Sequence, residues 1–381
     1  MKVKLRVKPE DFIVEEVLDL NKVKGSKCYL YKLTKRNIEC LKALSYISKK
    51  FKIPLKDIGY CGLKDRHALT IQYISIPKKY GKLSLNEKNL KLELVGESRF
   101  LKLGDLEGNK FKIVVRDLGE EHLKRFYENV NYIEKIPNYF DSQRFGSVFN
   151  KKFIVKEIIK GNYEEALKII LTQYKKSENK RIKNFKRFVN QHWGDWEKIW
   201  DYIKNKDIRA KLYVNIIKEL KESNDFKKAL TYIDDRLKKL FLAAYQSYLW
   251  NECVKEILKN KVNEPLYYNY ECGTLLFFKE LKEELEFKDF PTIALDSNYN
   301  EEERKIIDRV LKREGIRLED LDRAKIFGKF VYTRRDILME PKDFRYSVKE
   351  DEIYRGKRKV ELEYFLKKGS YATMVIKRLF L

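Results

Sequence analysis

The chain has 381 residues, of which 83 are Lys or Arg and 58 are Asp or Glu, so its formal net charge is +25 at pH 7. This length allows two or three domains with sizeable cores, and 43% hydrophobic residues are typical of a globular protein. The positive excess favours a polyanionic partner such as nucleic acid. A lysine-rich composition also suits growth at high temperature, but that bias raises Glu together with Lys and does not by itself leave so large an excess.

Several classes of protein are disfavoured by what the sequence lacks. No run of about 18 apolar residues is present, and the chain opens with Met1-Lys2-Val3-Lys4, so we expect a cytoplasmic protein without a membrane partner. The five cysteines form no Cys-x-x-Cys pair and the three histidines are scattered, which predicts no metal site. None of the 16 glycines falls into a dinucleotide or phosphate-loop motif, so we expect no cofactor.

The first helix is predicted from Asn37, a plausible N-cap, to Pro54, which ends it. One apolar face follows the helical period, namely Ile38, Leu41, Leu44, Ile47 and Phe51.

A glycine-led turn then places one carboxylate between two cations: Gly62-Leu63-Lys64-Asp65-Arg66-His67. The residues before it, 58–62, suit a short strand, and those after it alternate as a strand does, with Leu69, Ile71 and Tyr73 against Thr70, Gln72 and Ile74. Asp65 therefore lies on a connection, where functional groups are commonly presented, and Lys64 and Arg66 favour its ionised form. A catalytic carboxylate is one interpretation, and a solvated surface ion pair is the other.

The remaining elements suggest two domains. A strand is predicted over 109–117 and a helix after it, with Leu123, Phe126, Val130 and Ile133 on one face, which makes the first 146 residues an α+β region. Long amphipathic helices dominate residues 147–333, among them one from about Asp235 to Leu258, and after shorter mixed elements another near Glu301 to Glu314. Strands return from Arg334. Because the last 48 residues are too few for a good core of their own, we expect 1–146 and 334–381 to form one discontinuous domain that 147–333 interrupts.

Several segments resemble, in order, the TruD family of RNA pseudouridine synthases. The turn Gly62 to Ala68 resembles the active-site segment of that family. The further matches are Pro9 to Glu16, Gly108 to Phe111, Pro137 to Gly146, Ala244 to Asn251 and Lys368 to Thr373. They extend over nearly the whole chain.

The resemblance implies a pseudouridine-synthase catalytic domain, an α+β fold with a mixed or antiparallel sheet, interrupted by a largely helical TRUD insertion. It implies that Asp65 is the catalytic aspartate, that Phe12, Asn109 and Tyr371 line the site of the target nucleotide, and that Phe111 is the aromatic residue beside Asp65. At the same substrate site we expect Lys64 either to pair with Asp65 or to neutralise a phosphate. Tyr371 stands where the bacterial pattern has Phe, and Asp141 stands where the family often has Gly. Without the resemblance, Phe12 and Phe111 are strand core residues and Asn109 is a turn residue.

A basic run marks the insertion. Lys180, Arg181, Lys183, Lys186 and Arg187 follow Lys175 and Lys176, with Phe185 and Phe188 interleaved. We expect this run, together with Arg144, to contact RNA phosphates, although a solvated helix face would have the same composition.

The function predicted from the sequence is that of an isomerase, a tRNA pseudouridine synthase that converts a uridine of tRNA, by resemblance uridine 13, to pseudouridine without a cofactor. No protein partner is implied. Two other classes stay open: a noncatalytic RNA-binding protein, which explains the charge but not the Asp65 turn, and a metal-dependent RNA hydrolase, which needs clustered ligands near Asp65.

Overall fold

The computed structural model describes residues 3–381. These residues form two compact units, 3–138 with 339–381 and Tyr139–Leu338. The first unit is therefore discontinuous in sequence. The boundaries expected at Gly146 and Arg334 lie a few residues inside the second unit, and the assignment of a catalytic domain and an inserted domain to these units stays a prediction.

A mixed sheet forms the centre of the first unit. Up to residue 138 the strands of the first unit are β1 (Phe12–Val17), β2 (Cys28–Arg36), β3 (Gly59–Tyr60), β4 (Leu69–Pro77), β5 (Leu85–Glu87), β6 (Leu90–Ser98), β7 (Gly108–Leu118) and β8 (Ile136–Pro137), and β8 lies outside the mixed sheet. Its helices in the same stretch are α1 (Cys40–Lys50) and α2 (Glu120–Asn129). The α+β class predicted from the sequence is confirmed.

The second unit is mainly helical. Its helices are α3 (Ile154–Ile159), α4 (Tyr163–Thr172), α5 (Lys180–Gln191), α6 (Trp196–Asn205), α7 (Lys211–Ser223), α8 (Phe226–Leu230), α9 (Asp235–Leu258) and α10 (Glu301–Glu314). Short strands accompany them, β9 (Val262–Asn263), β10 (Leu266–Tyr270), β11 (Gly273–Phe277), β12 (Glu280–Leu281), β13 (Asp289–Pro291) and β14 (Arg334–Asp336).

The end of the chain returns to the first sheet. After β15 (Leu338–Met339) come β16 (Lys342–Glu350), β17 (Arg358–Lys367) and α11 (Ala372–Leu379). Along the main path the strand order is β16-β17-β7-β1-β4-β2-β6-β5, with β3 beside β4. The pair β1 and β4 is parallel, and the other neighbours in this sheet are antiparallel. The expectation that the last residues complete the N-terminal sheet is thus confirmed.

Helix α1 packs on this sheet through one apolar stripe. Cys40, Ala43, Leu44 and Ile47 repeat at the spacing of one helix face, and each is buried against residues of β2 and β4 such as Tyr31. The helix begins at Cys40 rather than at Asn37, because Asn37 adopts a left-handed conformation with φ of 55° and its N–H donates to the Ala68 carbonyl. This bond ties the start of α1 to the segment that follows Asp65.

Candidate active site

The loop between β3 and β4 carries Asp65, and its cation is Arg6. Arg6 Nη2 donates to Asp65 Oδ2 over 2.6 Å. The same guanidinium lies 4.0 Å from the centroid of the Phe12 ring. The side chains of Arg6 and Asp65 are 25% and 30% exposed, so the pair is sheltered but open to a ligand. No sequence signal identified Arg6, because it lies 59 residues before Asp65 and belongs to none of the matched motifs.

Lys64 pairs with Glu16, a partner that the sequence did not predict. Its ammonium lies 2.7 Å from Glu16 Oε1, and the two side chains are 6% and 0% exposed. Glu16 Oε2 also accepts the backbone N–H of Tyr73 at 2.8 Å. The structure therefore shows a buried ion pair at this position, in place of a pair between Lys64 and Asp65, and leaves little of the ammonium accessible to a phosphate.

Strand register gathers the other candidates on one face of the sheet. Across β1, Val14 lies opposite both Thr70 and Phe111, and Glu16 lies opposite Asn109. Phe12 is two residues before Val14 and therefore shares its face. The alternation of β1 could have identified Glu16, because Phe12, Val14 and Glu16 share one face of the strand and all lie in the matched segment Pro9 to Glu16.

Aromatic rings form one side of this face. Phe12 and Phe111 meet edge to face, with centroids 6.3 Å apart, and Phe111 lies 5.7 Å from Tyr364. The Tyr364 hydroxyl donates to the Ala372 carbonyl over 3.0 Å, and burial raises the pKa of this phenol well above its usual value. That bond fixes the connection between β17 and α11. Tyr371 lies on this connection as the residue before α11.

Asn109 presents an unsatisfied acceptor. Its Oδ1 is buried without a hydrogen-bond partner, although the residue as a whole is half-buried. The preceding position must be glycine, since a Cβ on Gly108 would lie 2.2 Å from the carbonyl oxygen of Leu366. A buried acceptor of this kind is costly unless a ligand or water supplies a donor.

Cys61 and His67 lie on the same loop as Asp65. Cys61 is buried, and burial raises the pKa of its thiol to about 12, so the thiol stays protonated. His67 is exposed and its Nδ1 lies 3.2 Å from Asn37 Oδ1. Within residues 3–381, no three His, Cys, Asp or Glu side chains group in a way that would hold a metal ion.

The basic run of the second unit is helix α5, and its cations do not share one environment. Lys180, Arg181 and Arg187 are exposed, and Lys183 is half-buried with its Nζ on the Lys176 carbonyl. Lys186 is 5% exposed because its ammonium donates to the Gln173 carbonyl and pairs with Glu178. Lys186 therefore stabilises the unit from within and does not fit the expected RNA surface.

Arg144 is exposed in the second unit. Its Nε donates to Ser247 Oγ over 3.0 Å, and its guanidinium lies 5.3 Å from the centroid of the Phe140 ring. The side chain is thus held at Nε and by the ring while the residue stays exposed, and its contact with RNA remains a prediction.

Comparisons with known proteins identify the family of the chain. The family model of tRNA pseudouridine synthase D (TruD) matches residues 1–379. A Methanocaldococcus jannaschii protein named "Probable tRNA pseudouridine synthase D 2" is 65% identical over all of this chain and 92% of its own length. The Aquifex aeolicus protein named "tRNA pseudouridine synthase D" is 33% identical over all of this chain and 98% of its own length.

A solved structure is similar to nearly the whole chain. The crystal structure of a Methanosarcina mazei protein that bears the name TruD matches with a TM-score of 0.74 and 27% identity, over 99% of this chain and 93% of that one. The family match and the shared fold define a class of enzymes, the RNA pseudouridine synthases. Within that class the chain belongs to the tRNA pseudouridine synthase D family, whose members are isomerases.

No helix within residues 3–381 has the length and apolarity needed to cross a membrane. The absence of protein partners and the cytoplasmic location expected from the sequence stay predictions.

Proposed function

We propose that this protein isomerises uridine 13 of tRNA to pseudouridine and that Asp65 is the reacting carboxylate. Family membership supports action on a uridine of tRNA. The observation that supports the role of Asp65 is its pairing with Arg6 at 2.6 Å in a position about a third exposed, on the loop that matches the family's active-site segment.

The reaction breaks the bond between N1 and C1′, turns the base and joins C5 to C1′; the C5 hydrogen leaves as a proton and N1 takes one up, so the product is an isomer of uridine. Asp65 acts at the sugar, either by attacking C1′ or by taking a proton from C2′ to give a glycal. Both routes need an ionised carboxylate, and Asp65 Oδ2 lies 2.6 Å from the guanidinium of Arg6.

The target base must leave its stack to reach Asp65. Phe12 and Phe111 are 2% and 7% exposed and Asn109 Oδ1 is buried, so the base must displace neighbouring side chains to reach them. Once there, Phe12, Phe111 and Tyr371 supply apolar and aromatic surface, and the unpartnered Oδ1 of Asn109 is suited to accept the N3–H of uracil. Cytosine has no hydrogen at N3, so this acceptor favours uracil.

Release of tritium from tRNA labelled at C5 of uridine tests the proposal. Asp65→Asn keeps the size of the side chain but removes its charge, and we expect the purified variant to bind tRNA and release no tritium. Asp105→Asn is the matched control, since it removes the carboxylate of another arginine pair of the same unit, Arg99 with Asp105 at 2.8 Å.

Three results would contradict the proposal. Tritium release by Asp65→Asn at the wild-type rate would remove Asp65 from the reaction. Undiminished release from tRNA that carries cytidine at position 13 would show that the target lies elsewhere. Wild-type protein that binds tRNA and modifies none would favour the noncatalytic RNA-binding alternative.

A further inference from the structure

Lys35 is a fully buried lysine beneath the Asp65 loop. It lies near the end of β2, opposite Thr70 of β4, and its side chain is 0% exposed. Its Nζ donates to the carbonyl oxygens of Asp65 at 2.6 Å, Ile38 at 2.9 Å and Lys64 at 3.4 Å. All three ammonium hydrogens can thus be satisfied by backbone oxygens.

Burying an ammonium in this way costs free energy, and this cost lowers the pKa of the group. Burial lowers the pKa of Lys35 from its usual 10.5, because a charged ammonium is poorly solvated inside the protein. The groups that face it are Cys40, Asp65 and Glu39, which favour its charge, and Lys64, which opposes it. A lysine near a strand end commonly extends to water instead.

The geometry explains what the ammonium does. The Lys64 carbonyl belongs to the peptide plane before the Asp65 Cα, and the Asp65 carbonyl belongs to the plane after it. Because Lys35 Nζ bonds the carbonyl oxygens of both planes, φ and ψ of Asp65 are restricted. These two angles set the direction of the Cα–Cβ bond of Asp65.

We propose that Lys35 is a positioning residue for catalysis, whose ammonium holds the two peptide planes on either side of Asp65 and so directs the carboxylate toward the sugar. This inference rests on the proposed role of Asp65. Lys35 itself touches no substrate, because its side chain is fully covered. Its loss should therefore slow the chemical step and leave tRNA binding intact.

The test compares single-turnover rates and tRNA affinities of Lys35→Met and Lys35→Arg with wild type. Methionine keeps much of the apolar stem but donates no hydrogen bonds, and we expect its rate to fall by about 10²-fold, as for a carboxylate misplaced by an ångström. The dissociation constant for tRNA should stay at the wild-type value. Arginine retains the charge and the donors, so it should restore part of the rate.

Lys156→Met is the matched control. Lys156 lies in the other unit, where its ammonium pairs with Glu314 at 2.6 Å, and the same exchange there should leave the rate unchanged. A folded Lys35→Met protein with the wild-type rate would overturn the inference. If Asp65→Asn were inactive in that case, the proposed function would stand while the role of Lys35 fell.

A measurement on the wild-type protein covers the case in which Lys35→Met does not fold. Because the pKa of Lys35 is lowered in the folded chain, the unfolded chain binds more protons between that value and 10.5, and the contribution of this group to folding stability rises with pH there. We expect the single-turnover rate to fall over the same pH range, because a neutral amine donates weaker hydrogen bonds to the carbonyl oxygens than an ammonium does.

Lys35→Arg separates this effect from other titrations, since a guanidinium stays charged throughout. Its alkaline decline in rate should begin at higher pH than that of wild type. Coincident declines in the two proteins, or a wild-type rate that falls only where the protein unfolds, would overturn the positioning role.

Discussion

Breaking the Glu16–Lys64 pair should destabilise the first unit strongly. The two side chains are 0% and 6% exposed, so removing one partner leaves a charge that water cannot reach. Such a loss costs about 3–5 kcal/mol, whereas an exposed pair contributes about 0–1 kcal/mol. Lys64→Met leaves Glu16 with the N–H of Tyr73, and Glu16→Gln leaves the ammonium of Lys64 without its anion.

The double variant Glu16→Gln/Lys64→Met should lose less stability than the sum of the single losses, because no uncompensated charge remains. Lys112→Met is the control, since Lys112 pairs with Glu363 on the same sheet at 2.9 Å with 61% and 51% exposure. It should cost about 1 kcal/mol or less.

Hydrogen exchange of β4 peptides in a denaturant series measures the stability of this sheet. Tryptophan fluorescence reports only on the other unit, since all four tryptophans, Trp193, Trp196, Trp200 and Trp250, lie there. Two results would contradict this reasoning. The free energies of unfolding lost in the two single variants could add up in the double variant, or Lys64→Met could lose no more than Lys112→Met. Either result would show that the buried pair stabilises the unit no more than an exposed pair does.

Three further predictions concern the reaction and the RNA. Activity on tRNA of verified fold should persist in EDTA with no nucleotide or reductant added, and loss of turnover under those conditions would contradict the cofactor-free prediction. Phe12→Ala and Tyr371→Ala should lower turnover more than tRNA affinity, because stacking contributes about 1–3 kcal/mol for one base while phosphate contacts maintain binding; a matching loss of both would oppose this. Glutamine at four positions of α5 should lower the slope of log affinity against log salt by about 0.7–0.9 for each phosphate that the helix no longer neutralises, and an unchanged slope would identify the helix as a solvated face. The four positions are Lys180, Arg181, Lys183 and Arg187.

Periodicity predicted the long helices better than the strands. Helices α9 and α10 have the expected bounds, and α10 shows why, since Asn300 and Glu303 cap each other's backbone N–H groups and Gly315 ends the helix with φ of 70°. Capping residues lie next to the helix in sequence, so the sequence alone is enough to predict where such a helix begins and ends.

Burial around the site could not be predicted in the same way. In β4 the polar Thr70 and Gln72 are 0% exposed, while Leu69, Ile71 and Tyr73 are only half-buried. The alternation was therefore right, but hydrophobicity alone would assign the wrong face to the interior. The polar face is buried because it belongs to the same surface as Val14 and Glu16 of β1.

The partners of charged side chains were the least predictable feature. Arg6 reaches Asp65, and Lys35 reaches the peptides beside it, only after strands distant in sequence have paired. Lys186 resembles one more cation of a basic run, yet a helix turns each successive side chain by about 100° and carries this one inward. Composition reports the charge of the run, whereas only the fold reports which charges remain at the surface.

The proposed activity is tested most simply by mapping pseudouridine in tRNA after incubation with the purified protein alone. We expect pseudouridine at position 13 with the wild-type protein and none with Asp65→Asn, although both bind the tRNA. Binding by the wild-type protein without any pseudouridine, or formation of pseudouridine by Asp65→Asn, would contradict the proposed function.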